Sequence, residues 1–320
     1  MLIRNDLQNR VAGCIFGAAV GDALGLGTEF LTKWQIAEFY PEGLNSYSNF
    51  IRDRHRAHWK QGEWTDDTDQ MLCILDSILV HESIEILDIA SRFHKWAFSG
   101  GRGLGQTVYS VLSNPDFLEY PHKAAQRVWN KSGNELAANG ALMRTSVLGL
   151  WPLFDREQMI ANTIAVARIT HYDPRCTASC VAVTVAINNL LRQDKNYEDA
   201  LADAESIACA MDERVREWFE LAKQSEIAKL DLGGRHIGYT LKALAAAFWT
   251  MRNSNSFEEG IRVLIHEGGD ADTNAAIAGA LLGTSFGYES IPEHWISELA
   301  GAEALAGRVQ KLISLIEKTR

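Results

Sequence analysis

The stretch Asn274-Ala275-Ala276-Ile277-Ala278-Gly279-Ala280-Leu281-Leu282-Gly283-Thr284-Ser285-Phe286 decides the fold. It predicts a helix over 274–286 lined by Ala275, Ala276, Ala278, Gly279, Ala280 and Gly283. Side chains this small let neighbouring helices approach closely, as the central helix of a bundle requires. Directly before it stands an acidic cluster, Glu267-Gly268-Gly269-Asp270-Ala271-Asp272-Thr273. A second cluster, Trp64-Thr65-Asp66-Asp67-Thr68, lies about 200 residues upstream. It opens a helix to about 80, in which Met71, Ile74, Leu75, Ile78 and Leu79 recur at helical spacing.

Thr and Asp suit helix N-termini, where negative charge is favoured. That accounts for one aspartate, but not for Asp66, Asp67 and Asp69 crowded together, because adjacent carboxylates repel unless they share a cation. Carboxylate and hydroxyl oxygens are hard ligands and suit Mg²⁺, Mn²⁺ or Ca²⁺ better than zinc. Two such clusters, far apart in the chain, predict one metal site closed by the fold.

The rest of the chain reads as helices over 6–20, 86–98, 106–112, 121–129, 141–150, 156–169, 177–191, 196–211, 213–225, 240–251, 257–265 and 295–318, the last as one or two. Period-2 alternation is lacking and the linkers are short. The expectation is an all-α fold, one compact multi-helix domain over 1–320.

Between the helices, Gly21 to Phe30 is rich in glycine and carries Glu29 at its exit, a position equally suited to a solvated carboxylate. Residues 31–63 read as an irregular surface excursion whose Arg52, Arg54, His55 and Arg56 form a solvated face. Gly100-Gly101-Arg102-Gly103-Leu104-Gly105 opens a helix and so offers backbone N–H groups to an anion. It is neither a P-loop nor a dinucleotide fingerprint, since no Lys-Ser/Thr pair and no preceding strand accompany it. Asn139-Gly140 is a turn whose amides could hold a phosphate or merely start a helix. Pro174 ends a helix at Thr170-His171-Tyr172-Asp173, and His171 by itself reads as structural.

Composition narrows the function. A net charge of −10 argues against general electrostatic binding to nucleic acid or an anionic membrane. Five scattered cysteines, Cys176 and Cys180 among them, read as reduced thiols of a cytoplasmic protein rather than disulfides or a zinc site. Neither a signal peptide nor an apolar run long enough to span a bilayer is visible.

With these pieces together the chain resembles the ADP-ribosylglycohydrolase family, the group that includes the dinitrogenase-reductase-activating glycohydrolase. The resemblance runs from Gly13-Cys14-Ile15-Phe16-Gly17 to Gly283. It rests on the early glycine segment ending in Glu29, on Trp64 to Thr68, on Asn139-Gly140 with Met143-Arg144, on Thr170-His171, and on Gly268 to Thr273 with its small-residue helix. It implies an all-α fold with two divalent cations, Mg²⁺ or Mn²⁺, and hydrolysis of the glycosidic bond between ADP-ribose and an acceptor.

Position by position, the resemblance implies Thr65, Asp66, Asp67, Asp270, Asp272 and Thr273 as metal ligands. It implies Gly101, Gly103, Gly105, Asn139, Gly140 and His171 as ADP-ribose contacts, and Glu29 as the acid on a loop near the metals. Lys131 to Ala138 departs from the glycine-rich version expected before Asn-Gly. Glu29 or Asp67 is expected to orient or deprotonate the attacking water, or to protonate the leaving group. The expected substrate is an ADP-ribosylated protein, with arginine the first candidate acceptor, and the expected state is a monomer. The alternatives are a serine-linked or small-molecule ADP-ribose conjugate, or a non-catalytic ADP-ribose-binding or crystallin-like protein.

Overall fold

The computed structural model describes residues 3–193 and 197–319. Its helices are, in order, α1 (Asp6–Gly25), α2 (Lys33–Phe39), α3 (Asp66–His81), α4 (Ile86–Phe98), α5 (Gln106–Leu112), α6 (Pro121–Lys131), α7 (Arg156–Ala167), α8 (Pro174–Arg192), α9 (Tyr197–Met211), α10 (Val215–Ala222), α11 (Thr240–Asn253), α12 (Phe257–Ile265), α13 (Ala271–Phe286), α14 (Glu293–Ser297) and α15 (Ala302–Lys318). No strand forms among the described residues; an isolated antiparallel bridge joins Ala138 to Tyr239. The fold is all-α, and one hydrophobic core extends from α1 to α15.

The packing of α1 on α13 sets the centre. The two helices run antiparallel with small residues meeting at four-residue spacing: Gly13 on Gly283, Gly17 on Gly279, Gly21 on Ala275, and Gly25 on Ala271. A Cβ at Gly17 would lie 2.1 Å from the Gly279 carbonyl oxygen, and one at Gly279 would lie 2.1 Å from that of Gly17. At this separation neither position has room for alanine. The first helix accordingly outruns its expected end at residue 20. Glycine lowers helix propensity, but every residue from Val11 to Gly25 is buried, and tertiary packing carries the helix on.

Elsewhere the expected helices recur with shifted ends, and the start expected at Asn196 lies outside the described residues. Two expectations change. The segment 141–150 is not an α-helix but two 3-10 turns, Leu142–Arg144 and Ser146–Gly149. The Thr145 hydroxyl between them donates to the Leu142 carbonyl, a local bond that competes with helix propagation. The excursion 31–63 holds α2, started by a reciprocal Thr32–Gln35 capping box, and two short 3-10 turns.

Candidate active site

Three helix ends converge: the C-terminal end of α1 and the N-terminal ends of α3 and α13. Asp22, on α1, caps α3 from outside. The Thr65 amide donates to Asp22 Oδ1 at 2.9 Å, and the Thr68 amide and hydroxyl donate to Oδ2 at 3.0 and 2.6 Å. Thr65 holds the N-cap position of α3 without a side-chain cap bond. Its hydroxyl instead faces Asp67 Oδ2 at 3.3 Å and Asp272 Oδ2 at 3.5 Å, joining the two acidic clusters.

Carboxylate oxygens of Asp22, Asp67 and Asp272 lie within 4.8 Å of one another, as do those of Glu29, Asp270 and Asp272. Asp272 belongs to both sets. Burial, reinforced by neighbouring carboxylates, holds the acids of Asp66, Asp67 and Asp272 well above the usual carboxylate range. Burial raises Asp22 to about 6 against its hydrogen bonds, and burial together with Glu29 raises Asp270 to about 6. No Lys or Arg forms an ion pair with these five aspartates among the described residues. Asp67 Oδ1 is buried without a partner. Crowded, desolvated oxygen donors with an orphaned carboxylate atom fit hard divalent cations.

A cavity of about 320 Å³ opens in front of this cluster. Glu29, Asp66, Asp67, Asp270, Asp272, Thr273, Gly103, Gly105, Asn139, Gly140 and His171 all line it. Thr65 stands behind the carboxylates. Gly101 is not in the wall: it packs against Trp96, where a Cβ would meet the indole at 2.6 Å. Asp66 lies outside both three-carboxylate sets; its Oδ2 accepts from Gln70 Nε2 at 3.1 Å, and Gly103 presses against its Oδ1. Asn139 donates to Asp270 Oδ2 at 2.7 Å, so its amide orients a carboxylate of the cluster.

Asp69 leaves the acidic group. It accepts from the indoles of Trp64 at 2.8 Å and Trp96 at 2.9 Å and is a structural anchor. The basic run is corrected in part: Arg52 and Arg54 are exposed as expected, but His55 and Arg56 are not a solvated face. Arg56 is buried and donates to the carbonyls of Gly27 at 2.9 Å and Glu29 at 2.5 Å, while His55 Nε2 meets Glu29 Oε2 at 2.6 Å. The loop bearing Glu29 is further tied by the Phe30 amide to the Gly269 carbonyl at 2.7 Å. Gly268 and Gly269 have φ of +69° and +66°, and a Cβ on Gly268 would lie 2.1 Å from the Leu31 carbonyl oxygen, so this turn needs glycine at both positions. Asp22 escaped the sequence reading as part of the site; its signal was the one charged side chain in the otherwise apolar and glycine-rich run from Val11 to Gly25.

The five cysteines are free, four of them buried, and Cys176 Sγ donates to the Ala138 carbonyl at 3.2 Å. No helix of the described residues is long and apolar enough to cross a membrane.

Comparison with known proteins places the chain in a family. The profile of the ADP-ribosylglycohydrolase family matches residues 3–320. The ADP-ribosyl-[dinitrogen reductase] glycohydrolase of Rhodospirillum rubrum is 27% identical over 92% of this chain and 91% of its own. The ADP-ribosylarginine hydrolase Tri1 of Serratia proteamaculans is 24% identical over 98% of this chain and 81% of its own. A solved structure titled as an ADP-ribosylglycohydrolase-related protein complex superposes with a TM-score of 0.78 at 27% identity, covering 97% of this chain and 99% of that one.

Proposed function

The chain belongs to the ADP-ribosylglycohydrolase family, and we propose that it hydrolyses the glycosidic bond joining ADP-ribose to a protein arginine. The observation that carries the reading is the meeting of two distant acidic clusters around Asp272, at one wall of a cavity. Thr65, Asp66, Asp67, Asp270, Asp272 and Thr273 would hold two divalent cations, Mg²⁺ or Mn²⁺, with Asp22 and Asn139 setting the ligands from behind. Bound there, the cations supply Lewis-acid polarisation of ribose hydroxyls and lower the pKa of a water.

The protein's own groups do the rest. Of the two candidate bases, Glu29 is favoured over Asp67. The open oxygen of Asp67 is buried among carboxylates, where a cation belongs, while Glu29 stands at the cavity with His55 against one oxygen. Glu29 also lies close enough to Asp270 and Asp272 to reach a cation itself, a role that the variant below distinguishes. As base, it takes a proton from water while the water oxygen bonds to the anomeric carbon. The bond from that carbon to the guanidine nitrogen breaks, its electron pair stays on the nitrogen, and the nitrogen takes up the proton that Glu29 received, so that one water is consumed per arginine released. Ile237 and Gly238 line the cavity beside Asn139, so the loop they belong to is placed to select the acceptor.

The arginine assignment draws support from the relative named for ADP-ribosylarginine. Its test is release of ADP-ribose from arginine-modified and serine-modified proteins with Mg²⁺, with Mn²⁺ and with EDTA. Metal-dependent release from the arginine conjugate is expected. Release from the serine conjugate alone would reassign the acceptor, and ADP-ribose binding without release from either would leave a binding protein. Glu29→Gln is expected to lose turnover while keeping metal binding by calorimetry; loss of metal binding instead would make Glu29 a ligand.

A further inference from the structure

Arg144 is fully buried in the second half of the motif that begins at Asn139. Its guanidinium packs over the Phe93 ring at 4.1 Å and has no ion-pair partner among the described residues. Two hydrogen bonds leave it in opposite directions. One nitrogen donates to Gln70 Oε1 and another to Thr170 Oγ1, the latter at 2.6 Å. Beyond Gln70, the amide nitrogen donates to Asp66 Oδ2 at 3.1 Å. Beyond Thr170, the hydroxyl lies 2.8 Å from His171 Nδ1. His171 Nε2 is buried and unpartnered, in the cavity wall beside Gly140.

Arginine can only donate, and this gives both chains a direction. Thr170 Oγ1 must accept from Arg144. Its single proton then has one acceptor within reach, His171 Nδ1; with Nδ1 protonated instead, the Thr170 proton would be buried and unused, at a cost. The remaining ring proton therefore sits on Nε2. On the other branch, the Gln70 oxygen must face Arg144, so its NH₂ must face Asp66. A fully buried cation without a counter-ion is costly, and both of its polar contacts serve residues of the cavity wall.

We propose that Arg144 is a positioning residue that, through Thr170, holds His171 as the neutral Nε2–H tautomer, presenting a donor to an oxygen of the bound ADP-ribose moiety. The identity of that ligand rests on the proposed function; the tautomer does not. Burial and the nearby Arg144 charge push the His171 imidazole down to about 3, which keeps the ring neutral over the working range. Gly140 completes the arrangement. A Cβ there would stand 3.0 Å from Cε1 and 3.2 Å from Nε2, so glycine at this position keeps the imidazole edge uncrowded.

The test starts on the unliganded protein. Long-range ¹H–¹⁵N correlation of ¹⁵N-histidine-labelled protein, with His171 assigned by its loss in His171→Phe, should show a pyridine-type Nδ1 and a protonated Nε2. A protonated Nδ1 overturns the proposal whatever the enzyme does. Thr170→Val keeps the shape and removes the hydroxyl, whereas Thr170→Ser restores it. The valine variant is expected to lose the single-tautomer signature and to bind ADP-ribose about 10-fold more weakly by calorimetry, in line with one lost hydrogen bond. The serine variant should recover both. Equal behaviour of the two variants would show that the hydroxyl is only packing and would refute the relay. The expected tautomer with no ADP-ribose binding even in the wild type would instead fault the functional reading.

Discussion

Replacing Asp270 by asparagine should make the metal-free protein more stable while destroying its function. Asp270 is half-buried, and its acid stands at about 6 rather than 3.8, through desolvation first and, among the groups that raise it, the Glu29 charge second. A shift of about two units corresponds to roughly 3 kcal/mol of destabilisation when the group is ionised. Asparagine is close in shape, and its side-chain oxygen can still accept from Asn139, which now donates at 2.7 Å. Allowing for imperfect repacking, the variant in EDTA at pH 7.5 is expected to gain about 1–3 kcal/mol.

The sign follows from proton linkage. Between pH 3.8 and about 6 the folded chain holds a proton that the unfolded chain has released. Wild-type stability therefore falls as pH rises through that window. The advantage of Asp270→Asn is complete above about pH 6 and gone below about pH 4. Saturating Mg²⁺ or Mn²⁺ should reverse the order at pH 7.5, because only the wild type gains the full binding free energy of the cation. The assay is equilibrium urea unfolding of both proteins at several pH values, with EDTA and with metal. A variant less stable than the wild type in EDTA at pH 7.5, or a difference that does not change with pH, would refute the reasoning.

Three further outcomes are expected. Asp66→Asn and Asp272→Ala should each abolish turnover and leave the far-ultraviolet circular dichroism spectrum nearly unchanged; loss of the helical signal would make these residues structural. Gly17→Ala should cost at least about 1–3 kcal/mol by urea unfolding, since its Cβ would stand 2.1 Å from the Gly279 carbonyl oxygen and force α1 away from α13; a neutral effect would mean that the two helices separate freely. Asp69→Ala should lower stability by about 1–3 kcal/mol by stranding the Trp64 and Trp96 indoles, with metal affinity by calorimetry unchanged; a large loss of affinity would return Asp69 to the metal site.

Local chemistry made much of this protein legible from its sequence. Helical periodicity and the small-residue run before Phe286 determined an all-α fold with a buried helix at its centre. Hydroxyls and carboxylates packed at two helix starts marked hard-ligand chemistry, since like charges do not crowd without a reason. Tertiary structure decided what depends on partners far along the chain. Gly21 and Gly25 look like helix breakers until α13 supplies the surface that keeps them helical. Asp66, Asp67 and Asp69 are equivalent in sequence, yet two indoles claim Asp69, and Asp22, 43 residues before Thr65, becomes the cap of α3. His55 and Arg56 read as solvated charges until the Glu29 loop folds against them. Arg144 shows the same limit, because a guanidinium reveals what it orients only when its acceptors are in place.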